Sequence, residues 1–204
     1  MSAMKEKRQA WTKNHILDHA WELIKAKGLR ETSVEEIAAA AEVSVGSVYN
    51  YFGSKNGLLV ALVEKDAEPL LKRGEAILSD PGDDPGDAIF RLIWNYTGTL
   101  LPKYSKPFLR EIMAASFVNV ESVGEEMAGL DELAIQQFTK LLEDLQGRKL
   151  INADLVPSDG AQLLYGIVFL QMTMYTVADK VTLDHIEANM RGSLRAAMVG
   201  WGAK

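Results

Sequence analysis

The sequence predicts an all-α protein, with an N-terminal three-helix domain containing a helix-turn-helix and a larger C-terminal helical domain. Three observations carry this reading. Apolar residues recur at three- and four-residue spacing, the period of a half-buried helix. The segments with that spacing are bounded by helix start and stop residues such as Ser33, Ser44, Ser54 and Gly28. Alternating runs of strand type and internal repeats are both missing.

Taken in order, the first helix is expected from Thr12 or Asn14 to Lys27, with Ile16, Ala20, Leu23 and Ile24 as its inward stripe and Gly28 as its stop. Ser33 stands three residues before Glu36, a capping-box pair for a short helix that ends near Glu42. Ser44 caps a second short helix, Val45–Tyr51, and Ser54 caps a third that starts at Lys55 and runs to Leu78. Pro69 lies inside that long helix, where a bend or a break is expected. Ser79–Asp87, with two Pro-Gly steps and four aspartates, reads as a linker. Helices follow at Ala88–Leu101, Phe108–Asn119 (with Phe108, Ile112, Ala115 and Phe117 inward), Glu121–Lys149, Pro157–Val177 and Leu183–Trp201. The expected domains are residues 1–56 and 57–204.

Composition narrows the function classes. The chain has 204 residues and no cysteine, so disulfides, thiolate metal sites and cysteine nucleophiles are excluded. No signal peptide or membrane span is expected, and the reading is a cytoplasmic protein. Net charge is −6, but it is unevenly spread. Residues 1–56 hold 8 basic against 7 acidic side chains, and residues 57–204 hold 14 against 21. Lys5, Lys7, Arg8 and Lys13 gather positive charge at the start of the chain, enough for an acidic body to meet a polyanion in one orientation.

Two short helices joined by a tight turn are a helix-turn-helix, whose second member fits the DNA major groove. Small Val45, Gly46 and Ser47 in its first turn permit close approach. Tyr49, Asn50, Tyr51 and Lys55 offer hydroxyls, an amide and an ammonium to phosphate oxygens, while Val48 and Phe52 face inward. The capped starts at Ser33 and Ser44 belong to the same surface. The segment I-A-x-x-A-x-V-S-x-G-S-V-Y-x-Y-F-x-S-K-x-x-L resembles the DNA-binding signature of TetR-family transcriptional regulators over roughly residues 10–60. The resemblance implies base-proximal roles for Val45, Gly46, Ser47 and Asn50, and phosphate contacts for Tyr49, Tyr51 and Lys55. That family usually has Gly where this chain has Glu42, so a turn of the same shape implies positive φ at Glu42.

The resemblance also implies a helical body that binds a small effector and controls the separation of two DNA-reading domains. Aromatic, Met and polar residues of the central helices are the expected ligand contacts: Phe90, Trp94, Tyr96, Phe108, Met113, Phe117, Gln171 and Tyr175. The last two helices read as a homodimer surface. Leu183, Ile186, Met190, Leu194 and Trp201 form a stripe packed on the chain itself. Gly166, Ala188, Gly192, Ala196 and Gly200 are small enough for a partner helix to approach. A symmetric dimer implies a palindromic operator on double-stranded DNA.

The function expected is a ligand-responsive repressor that needs no cofactor and is released by a small, largely apolar effector. Two rivals are a helical scaffold that meets protein, and an enzyme. For the enzyme there is no G-x-S-x-G elbow, H-E-x-x-H pair or phosphate loop, and no catalytic residue is expected. His15, His19 and Glu22 share a helix face, but no metal is expected there.

Overall fold

The computed structural model describes residues 2–202. Met1, Ala203 and Lys204, at the outer ends of the two expected domains, lie outside the described residues. The described chain forms α1 (Ser2–Lys27), α2 (Val34–Ala40), α3 (Val45–Phe52), α4 (Lys55–Ser79), α5 (Pro85–Thr97), α6 (Lys106–Val118), α7 (Glu125–Gly147), α8 (Pro157–Val177) and α9 (Leu183–Trp201). A 3-10 turn at Leu101–Lys103 precedes α6, and a π-helical turn at Val120–Gly124 precedes α7. No strand occurs among the described residues, only an isolated antiparallel bridge between Ile151 and Gly202. The fold class is all-α.

Several boundaries differ from expectation, each for a local reason. Helix α1 starts at Ser2 and not at Thr12 or Asn14. The residues before Thr12 are Ala, Met, Lys, Glu, Arg and Gln with no Gly or Pro, all good helix formers but for Ser2 and Trp11. Thr12 does not cap: its hydroxyl donates to the Arg8 carbonyl at 3.0 Å, as a mid-helix threonine does. Helix α5 starts at Pro85, three residues earlier than expected. Asp84 caps it by accepting the Asp87 N–H at 3.0 Å, and a proline in the first turn forfeits no helical bond. It ends at Thr97, short of the expected Leu101. Helix α7 starts at Glu125, after the π-helical turn that takes up the expected first residues from Glu121. Pro69 neither ends nor divides α4.

Contacts gather the described chain into two compact units, residues up to 65 with 107–127, and residues 66–106 with 128–204. The first holds α1, α2, α3, the start of α4, and α6. Its core is Ile16, Leu17, Ala20 and Ile24 on α1, Val34, Ile37 and Ala38 on α2, Val48 and Phe52 on α3, and Leu58, Leu59 and Leu62 on α4. Helix α6 joins this core from far along the chain. Phe108 meets Trp21 edge to face, with ring centroids 5.3 Å apart. Glu111 accepts the Leu29 N–H at 3.0 Å, which ties α6 to the turn between α1 and α2.

The second unit is built on Ile89, Leu92 and Ile93 of α5, Phe138, Leu141, Leu142 and Leu145 of α7, Leu164 of α8, and Ile186, Met190 and Leu194 of α9. One polar cluster threads this core. Buried Gln137 accepts the Tyr96 hydroxyl at 2.6 Å and donates to the Leu71 carbonyl and the Glu75 carboxylate, both at 2.9 Å. A Cβ at Gly74 would lie 1.8 Å from the Gln137 side-chain oxygen, so only glycine admits that side chain. Burial, and then the nearby Glu75 charge, raise the Tyr96 pKa and keep its hydroxyl a donor.

Lys106 closes the end of α8. Its ammonium donates to the carbonyls of Ala178, Asp179 and Val181 at 2.7, 3.0 and 2.6 Å, and it lies 4.4 Å from the Tyr175 ring centroid. Lys106→Met keeps the apolar stem but strands those carbonyls. It should cost roughly 1–3 kcal/mol, read as a fall of several degrees in the thermal unfolding midpoint.

Candidate nucleic-acid interface

The helix-turn-helix is held by one reciprocal cap, one single-sided cap and one tight turn. At the start of α2, the Ser33 hydroxyl accepts the Glu36 N–H at 3.2 Å, and the Glu36 carboxylate accepts the Ser33 N–H at 2.8 Å. Lys27 donates to the same carboxylate. The Lys27 bond first, then the Ser33 N–H, lower the Glu36 pKa to about 2. The end of α2 is a Schellman turn. The Val43 N–H reaches the Ala38 carbonyl at 2.9 Å, and the Glu42 N–H reaches that of Ala39 at 3.2 Å. In this motif the residue after the cap adopts positive φ. Glu42 occupies that place with φ 53°, as the motif implied.

Helix α3 starts on Ser44, whose hydroxyl accepts the Ser47 N–H at 3.1 Å and shares a 2.8 Å bond with the Ser47 hydroxyl. Val48 and Phe52 are buried. Gly46, Tyr49 and Asn50 are exposed, and Val45, Ser47, Tyr51 and Lys55 are half-buried. The eight-residue helix therefore turns one side inward and leaves small, hydroxyl and amide groups on the other. The Lys55 ammonium donates to the Arg30 carbonyl at 3.3 Å, with donors to spare for an incoming acceptor. Gly53 takes φ 69° at the exit of α3. Gly57, in the first turn of α4, is fixed by close approach, since a Cβ there would stand 2.0 Å from the Phe52 carbonyl oxygen.

The structure treats the other singled-out residues unevenly. Phe90 and Trp94 stack at 5.9 Å between centroids. Tyr96 is taken up by Gln137, Gln171 accepts from Asn189 at 3.4 Å, and Tyr175 sits beside Lys106. Phe108, Met113 and Phe117 belong to the other compact unit. Phe117, expected inward, is 73% exposed because it lies in the last turn of α6. Gly166, Ala188, Ala196 and Gly200 are exposed and Gly192 is half-buried, while Ile186, Met190, Leu194 and Trp201 are buried. His15 and His19 meet ring to ring at 4.6 Å, and among the described residues no three His, Cys, Asp or Glu side chains gather as metal ligands. No described helix is long and apolar enough to cross a membrane. Glu111 and Gly57 escaped the sequence reading. The glycine in a first helical turn was a visible signal for the second, whereas nothing local marks the first.

Residues 16–62 match the model of bacterial regulatory proteins of the tetR family, a span that contains α2, the turn and α3. The likeness to that family is carried in sequence by residues 16–62, which hold the helix-turn-helix. Over 174 residues it is 29% identical to the HTH-type transcriptional regulator AcrR of Shigella flexneri, covering 81% of this chain and 79% of that one. The solved structure of a TetR-family regulator from Mesorhizobium loti superposes with a TM-score of 0.73 at 23% identity, over 96% and 98% of the two chains. A TetR regulator from Haloarcula marismortui gives 0.78 at 14% identity, over 94% and 99%. The comparisons thus give a helix-turn-helix of this family's type within residues 16–62 and the same all-α fold over nearly the whole chain.

Two outcomes follow from this geometry. Glu42→Gly removes a left-handed non-glycine residue and should raise stability by about 1 kcal/mol, seen as a higher unfolding midpoint. The Glu36 pKa is depressed in the folded chain, so its contribution is present above the ordinary carboxylate range and is lost as pH falls through about 2. An NMR titration of the Glu36 side-chain carbonyl should find its midpoint there, and Lys27→Met should move it upward.

Proposed function

We propose that the protein is a repressor that binds a palindromic operator as a homodimer and releases it when a small effector binds. The observation that carries the DNA-reading part is the two-sidedness of α3. Val48 and Phe52 anchor it, and Gly46, Tyr49 and Asn50 stand free at the surface. Val45, Gly46, Ser47 and Asn50 then approach base edges. Tyr49, Tyr51 and Lys55 meet phosphates, together with the capped helix starts at Ser33 and Ser44. The effector site is assigned to the second compact unit, near Phe90, Trp94, Tyr96, Gln171 and Tyr175. Phe108, Met113 and Phe117 lie in the first unit and are not assigned to this site.

The dimer reading is supported by what α8 and α9 leave uncovered. Leu163, Leu170, Met174 and Val177 are 50%, 55%, 43% and 56% exposed along one stripe of α8, with Gly166 between them. On α9, Val199 is 89% exposed beside Ala188, Ala196 and Gly200. An apolar face of this kind marks an interaction surface. A Cβ built at Gly166 or Gly200 meets no atom of the chain within 4 Å.

Selection from random duplexes should return a palindrome whose affinity falls steeply with salt. Lys55→Ala should weaken binding to all sequences alike. Changes at Ser47 or Asn50 should alter base preference by roughly 1–3 kcal/mol at one position. Gly166→Leu and Gly200→Leu should leave the fold intact and shift sedimentation from dimer to monomer. Dimers that persist in both variants would remove α8 and α9 from the interface.

A further inference from the structure

The start of α5 and one side of α9 flank an open cleft of about 520 Å³. That is a size at which small-molecule sites occur. Its floor is apolar: Phe90 and Leu194 are buried, and the flexible Met198 completes it. Its rim is charged, and the charges are not all matched. Asp84 is engaged by the Asp87 N–H, Asp87 pairs with Arg91 at 2.8 Å, and Glu187 pairs with Arg191 at 2.8 Å. Arg191 is further fixed by lying 3.5 Å from the centroid of the Phe90 ring. Arg195 alone among these groups has no hydrogen-bond or ion-pair partner among the described residues.

We infer that this cleft binds a small monocarboxylate with an apolar tail, the carboxylate paired with Arg195 and the tail laid on Phe90, Leu194 and Met198. A guanidinium fork matches a carboxylate in shape and charge and presents parallel donors to both oxygens. The nearby carboxylates of Asp84 and Asp87 oppose a second negative charge on the ligand, which selects a monoanion over a phosphate monoester. Arg195 is exposed, so its guanidinium is open to an incoming carboxylate, a contact that a neutral ligand does not make. The cleft shares Phe90 with the proposed effector site, but binding there needs neither DNA nor a dimer, so its test stands apart from that of the repressor reading.

The test is isothermal titration of the full chain at neutral pH with octanoate, octanol and octyl phosphate, each kept below its micellar concentration. Octanoate should bind in a saturable one-to-one manner, at least tenfold more tightly than either control. Arg195→Ala should weaken octanoate at least tenfold, and Arg195→Lys should recover most of that loss. Met198→Glu should weaken it to a similar extent, while the far-UV circular dichroism of each variant stays that of the parent. The inference is overturned if octanoate does not bind at millimolar concentration. It is equally overturned if Arg195→Ala binds octanoate as the parent does, or if octanol or octyl phosphate binds as tightly as octanoate.

Discussion

The tightest constraint in the first compact unit is the meeting of α3 with α4 at Gly57. No side chain fits there, because the Phe52 carbonyl occupies the place of a Cβ. The approach lets the chain leave α3 through Gly53, take its next cap from Ser54 and enter α4 within three residues. Phe52 is thereby buried at one end of α3, and Ser44 fixes the other end through the Ser47 amide. The exposed groups of α3 owe their fixed positions to these two ends. An eight-residue helix has little stability of its own, so tertiary contacts decide whether it forms.

A second theme is the use of polar side chains to bond backbone carbonyls at a distance. Lys106 serves the carbonyls that follow α8, and Gln137 serves α4. Gln146 donates to the carbonyls of Asn152, Ala153 and Leu155 in the loop before α8. Asn95, also buried, donates to the Leu70 carbonyl beside Pro69.

What the sequence made legible was local. Ser33 with Glu36, Ser44, Ser54 and Gly28 announce their helix ends because caps depend on residues only a few positions apart. The positive φ of Glu42 followed only from the resemblance, which places Gly there, and the structure supplies it through a Schellman turn. The stripe Ile186, Met190 and Leu194 was legible from its period. The partnership of Glu111 with the Leu29 amide was not, because it joins residues 82 positions apart. Periodicity also failed for Phe117. It shares the spacing of buried α6 residues, yet the helix ends one residue later and leaves the ring uncovered. The outward face of α3 could be drawn from spacing, but the hold of Lys55 on the Arg30 carbonyl needed coordinates.

The early start of α1 has a further consequence. Its ten residues before Thr12 add about 15 Å of rigid rod at 1.5 Å per residue, and Lys5, Lys7 and Arg8 ride on it. Trp11 stacks on His15 at 4.8 Å between centroids, stiffening the root of the rod. A flexible tail carrying the same cations must surrender backbone entropy of roughly 1–2 kcal/mol per residue when a polyanion immobilises it. Here that entropy is already lost on folding, so the reach of these three cations is a length and a direction set by a helix axis, where a tail would offer only a cloud of positions.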